Sequence, residues 1–70
     1  MEHYTEFSSS NVARISYDSL SSTLEVEFNN GSIYQYYGVP QNVWNDFKNA
    51  GSKGQFIHQQ LKGQYRYARV

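Results

Sequence analysis

The chain contains no cysteine, a single proline and no apolar run that approaches the length of a membrane span. The absence of cysteine excludes a disulfide scaffold and any thiolate metal site. Without roughly 18 consecutive apolar residues no segment reads as a transmembrane helix, and Met1-Glu2-His3-Tyr4 lacks the basic and apolar regions of a signal peptide. The expectation is a cytoplasmic domain with no membrane contact. Histidine is scarce as well. His3 and His58 are far apart and form no H-x₃-H pair, so no metal or other cofactor is expected. No G-x-S-x-G elbow is present, and no acid follows Asp46 to orient His58. Glu25 and Glu27 fall on one face of an alternating segment and read as solvated strand residues, not as a catalytic pair. The chain is read as a non-enzyme with no small-molecule substrate.

Aromatic residues are plentiful: seven tyrosines, four phenylalanines and one tryptophan among 70 residues. Disordered chains are poor in such residues, so this one folds, and its length allows a single domain over 1–70. The net charge of zero conceals a division. Residues 1–46 carry six acids against Arg14 alone, a balance of −5, whereas residues 47–70 carry five cations and no acid. A split of this kind suits an anionic partner for the second half, or attraction between the two halves.

Along the chain, residues 1–8 read as a partly mobile polar lead-in. Val12–Tyr17 is β-branched and aromatic enough for a strand, and Asp18–Ser22 reads as a turn. Thr23–Phe28 alternates strictly, with Leu24, Val26 and Phe28 on one face and Glu25 and Glu27 on the other. Asn29-Asn30-Gly31 is a three-residue hairpin loop in which Gly31 supplies a positive φ. That loop length pairs Val26 with Tyr34 and Leu24 with Tyr36, placing both tyrosines on the core face. A two-residue loop would instead bury Gln35, which is costlier. Pro40 introduces a helix over Gln41–Ala50 with Val43, Phe47 and Ala50 on its buried stripe, Trp44 beside it and Gly51 at its end. Ser52-Lys53-Gly54-Gln55 matches a capping box, opening a second helix to about Lys62 that buries Phe56, Ile57 and Leu61. Tyr65–Val70 reads as a last strand or an extended tail. The class is α+β, a three-stranded antiparallel meander followed by two short helices packed on one face.

Ser9-Ser10-Asn11-Val12, Tyr17-Asp18, Thr23–Phe28, Tyr34-x-Tyr36 with Val39-Pro40, Ser52-x-Gly54-x-Phe56 and Tyr65 together resemble the KTSC domain. That family is named for a C-terminal extension of certain lysyl-tRNA synthetases and also occurs as small stand-alone proteins in bacteria and phages. The resemblance spans residues 8–70. His58 stands where the family usually carries asparagine. An RNA-binding role is what the resemblance implies, and it brings no catalytic residue with it.

Two functions fit the residues. In the first, RNA (transfer RNA or a single strand) binds through Lys53, Lys62, Arg66, Tyr67 and Arg69, cations for phosphate with an aromatic face for a base. The G-x-x-G of Gly51–Gly54 adds Ser52 and Gly54 as a candidate phosphate contact, although a capping role explains Ser52 equally well. Tyr65 is expected to close the core. In the second, Ile33, Tyr37 and Trp44 form an exposed patch for a protein partner or a homodimer.

Overall fold

The structure, a computed structural model, describes residues 1–70. Its centre is the hairpin of β3 (Thr23–Phe28) and β4 (Ile33–Tyr37). Leu24 and Val26 are fully buried while Glu25 and Glu27 are half-exposed on the opposite face. Gly31 N–H donates to Phe28 O (2.9 Å) and Phe28 N–H to Ser32 O (2.8 Å), closing the three-residue loop with Gly31 at φ +90°. The expected register follows, with Val26 opposite Tyr34 and Leu24 opposite Tyr36.

β2 (Val12–Asp18) pairs with β3, but a bulge at Ala13 interrupts the alternation. The extra residue lets Val12 and Ile15, three apart, both face the core. The sheet has five antiparallel strands, not three, in the order β1-β2-β3-β4-β5. β1 (Glu2–Tyr4) pairs with β2, so part of the segment read as a lead-in over residues 1–8 is an edge strand. Side chains hold it there: His3 Nδ1 is hydrogen-bonded to Ser16 Oγ at 2.7 Å, and Tyr4 stacks on Phe7 at 5.9 Å. The C-terminal segment forms β5 (Arg66–Arg69) on the free edge of β4.

Between β4 and β5 the chain crosses one face of the sheet as helix α1 (Gln41–Asn49) and a shorter α2 (Lys53–Phe56). Pro40 is the extended N-cap residue of α1, where its missing N–H costs nothing. Trp44 and Phe47 are fully buried, with Trp44 stacked on Tyr17 at 5.5 Å. The expected glycine stop at Gly51 is absent. Ala50 caps α1 in an extended conformation, and the Lys53 ammonium donates to Lys48 O (3.1 Å) and Ala50 O (2.7 Å). The second helix is interrupted too. After Phe56 it widens into one π turn, Ile57–Leu61, closed by Lys62 N–H donating to Ile57 O. The widening sets Ile57 and Leu61 into the core, and Gly63 at φ +82° ends the turn.

Glu2 joins β1 to α1. Its carboxylate accepts from Trp44 Nε1 (3.1 Å) and Lys48 Nζ (2.9 Å). The Lys48 hydrogen bond, then that of Trp44, lowers the Glu2 pKa below its ordinary 4.5. A depressed carboxylate stabilises the fold above its unfolded pKa, and that contribution disappears as pH falls through the depressed value. Glu2→Gln should therefore lower the urea midpoint at pH 7, and the gap from wild type should be smaller at pH 3. An equal gap at both pH values would remove the ionic part of this clamp.

Candidate functional site

The helices do not cover the whole sheet. At the Phe28 end they leave a cleft of about 610 Å³ between the sheet and the α2–π-turn segment. Strand pairing builds its floor. Tyr36 lies opposite Tyr67 and Tyr34 opposite Arg69, so alternation sends all four side chains to the helix-bearing face. Tyr67 stands 5.5 Å from Tyr36 and 6.0 Å from Tyr34, ring centre to ring centre, and Phe28 meets Tyr34 edge-on at 5.6 Å. Tyr36 is only 5% exposed, yet its side chain lines the cleft. Burial, then the neighbouring Tyr67 and Tyr34, raises its phenol pKa above 10.0. Ile57, His58 and Lys62 form the opposite wall.

A second hollow of about 480 Å³ continues from the first, lined without a single apolar side chain by Ser8–Asn11, by Ser52, Lys53 and Gln55 at the start of α2 and by Gln59 of the π turn. The two share Ser10, Asn11, Gly54 and His58. None of the chain's six carboxylates lines either half. Glu25 and Glu27 project from the other face of the sheet, where they bond Gln35 (2.9 Å) and Arg14 (2.8 Å).

The residues expected to bind RNA are sorted by this geometry. Lys62 and Tyr67 line the cleft, Tyr67 being 52% exposed. Arg69 is exposed beside them on the same face, by its register with Tyr34. Arg66 is removed from the group: it pairs with Tyr37, and alternation turns it to the opposite face. Lys53 is removed as well, being 4% exposed and committed to the α1 carbonyls. Burial lowers its pKa from the ordinary 10.5. The Ser52 hydroxyl accepts from Gln55 N–H (3.2 Å), which is its helix-capping role, and α2 is only four residues long. Ser52 and Gly54 both border the cleft.

Trp44 leaves the expected protein-binding patch, because it is wholly buried. Ile33 and Tyr37 remain on the open sheet face, Tyr37 39% exposed with its hydroxyl donating to Gln35 Oε1 (3.2 Å). Tyr65 packs against the core as expected. Asn11, Phe28 and His58 were not expected as cleft residues, and Tyr34 and Tyr36 were placed on the core face without a cleft beside them. The available signal was the hairpin register, which aligns Tyr34 and Tyr36 with any strand added beyond them.

Comparison with known proteins places this geometry. A family model, the KTSC domain, matches residues 8–65. A lysine–tRNA ligase of Trichormus variabilis is 43% identical over 54 residues, 77% of this chain and 10% of that protein. The chain thus spans about a tenth of the length of the ligases it matches. An uncharacterized protein of Stutzerimonas stutzeri is 40% identical over 63 residues, 89% of each chain. The crystal structure of a KTSC domain protein from Yersinia pestis superposes with a TM-score of 0.85 at 34% identity, over 97% of both chains. By sequence match and by fold alike, the chain belongs to the KTSC domain family.

Proposed function

We propose that this is a non-catalytic binding domain whose cleft takes an unpaired stretch of RNA. The observation that carries the reading is the exclusion of every carboxylate from a cleft floored by tyrosines and edged by Lys62 and Arg69, in a chain that has as many acids as cations. Ring faces stack any base, and the cations meet phosphate. The relatives that are lysine–tRNA ligases make transfer RNA a natural source of such a strand.

The test is an amide NMR titration with a short single-stranded RNA and with transfer RNA. Shifts are expected in residues of the cleft, above all Tyr34, Tyr36, His58, Lys62 and Tyr67. If Lys62 and Arg69 each meet one phosphate, affinity for the single strand falls about sevenfold between 50 and 200 mM salt. Tyr67→Ala should weaken binding about tenfold, from the loss of one stacking face, while leaving the fold intact. No shifts at millimolar RNA would sink the proposal. The domain would then be read as a protein-interaction module, with Ile33 and Tyr37 on the open sheet face as the surface to probe.

A further inference from the structure

The cleft has two chemically distinct halves joined at a saddle, and that division sets how much of a strand it holds. Resting on the RNA reading above, we infer that the site accommodates two consecutive nucleotides, the first stacked and the second held by its polar edges. Each half is the size of a small-ligand site, which spans roughly 300–1,000 Å³. The aromatic half offers ring faces and the buried-ring hydroxyl of Tyr36, groups suited to the face and edge of one base. The other half has no apolar lining, so a second base finds no stacking platform there. It finds hydroxyls and carboxamides, which suit a ribose and a base edge.

The saddle is where a linking phosphate would pass. Asn11 Oδ1 accepts from Ser10 Oγ (3.3 Å), and its Nδ2 lies 3.9 Å from where a side chain on Gly54 would begin. His58 flanks the same passage. Gly54 keeps this passage open. It lies within α2 and is not among the positive-φ glycines, so a side chain is tolerated there by the backbone and would project beside Asn11 into the gap.

The test uses the full chain and the 5′-phosphorylated uridine series of one to four nucleotides, followed by amide NMR. The dinucleotide should bind about tenfold tighter than the mononucleotide, and longer members should gain no more than about twofold further. Gly54→Met should abolish the gain from the second nucleotide, bringing the ratio of dinucleotide to mononucleotide affinity down to about one. Circular dichroism reports that this variant is folded. Equal affinity for one and two nucleotides, or a gain that survives Gly54→Met, overturns the two-nucleotide site and leaves RNA binding at the aromatic half standing. A series whose affinity keeps rising to four overturns it likewise. Absence of cleft shifts with every member overturns both.

Discussion

Trp44→Ala should cost about 3–5 kcal/mol, the range for deleting a large buried ring. A domain of this size has a total stability of about 3.5–10 kcal/mol, from roughly 0.05–0.15 kcal/mol per residue, so the variant stands at the edge of unfolding. The reason is the number of elements that meet at this residue. The indole stacks on Tyr17 of β2, meets Phe47 edge-on at 6.5 Å, lies under Lys48 Nζ at 5.3 Å and donates to Glu2 of β1. Losing it opens the contact between α1 and the first two strands at once. Trp44→Phe keeps the stacking and loses the donor, so about 1–2 kcal/mol is expected. Urea unfolding followed by circular dichroism separates the two variants, since each lacks the chain's only tryptophan fluorophore. A cost below about 1 kcal/mol for alanine would mean that the site collapses around the gap and that this junction is not central to the fold.

The second large effect is at Lys53. Its ammonium is buried against the Phe7 ring, 5.2 Å from its centre, and satisfies two carbonyls at the end of α1. Lys53→Met preserves most of the stem and removes the donor, leaving those carbonyls short of partners. Hydrogen bonds to charged groups contribute about 1.5–3 kcal/mol each, but the burial cost of the charge offsets part of that, so about 2 kcal/mol is expected. RNA affinity and its salt dependence should not change, because the ammonium is committed to these two carbonyls. The alkaline limb carries a second signature. A lysine whose folded pKa lies below 10.5 is less protonated folded than unfolded, so its contribution to stability rises with pH towards that value. Tyr36, raised above 10.0, contributes the opposite sign and is lost as pH climbs. Stability of Lys53→Met should therefore fall more steeply than wild type just below pH 10.5. A variant with weakened RNA binding and unchanged stability would restore Lys53 to the surface.

What the residues alone disclosed depended on whether the signal was local. The Thr23–Phe28 alternation and the Asn29-Asn30-Gly31 loop determine a register within one hairpin, and that register positioned Tyr34 and Tyr36 correctly. β1 escaped because Glu2–Tyr4 is too short to show a period, and its anchors, Ser16 and Trp44, are distant in sequence. Lys53 was misread because a lysine near two glycines resembles a phosphate contact, while the carbonyls it caps belong to the preceding helix. Arg66 was counted with the basic surface for its charge, although the alternation of an extended segment sets it on the face opposite Tyr67. Lys62, Tyr67 and Arg69 were found as a basic and aromatic cluster. The cleft between them and the hairpin was not, since it exists only once β5 pairs with β4.

That pairing differs from the others in what it encloses. The β3–β4 hairpin leaves four residues between its strands (the three-residue loop and Ser32), whereas 28 residues (38–65) separate β4 from β5. For a flexible chain the sevenfold longer loop costs about 1.7 kcal/mol more in closure entropy, the helices it contains reducing the difference. Formation of the meander from β2 to β4 can therefore run ahead, with the last strand docking after the helices have packed. Detaching β5 also returns the most configurational freedom to the chain, and it carries Tyr67 and Arg69 away from Tyr34 and Tyr36. A strand of RNA lodged across those rings would hold the terminal edge in place, so occupancy of the cleft and retention of the final strand are thermodynamically linked.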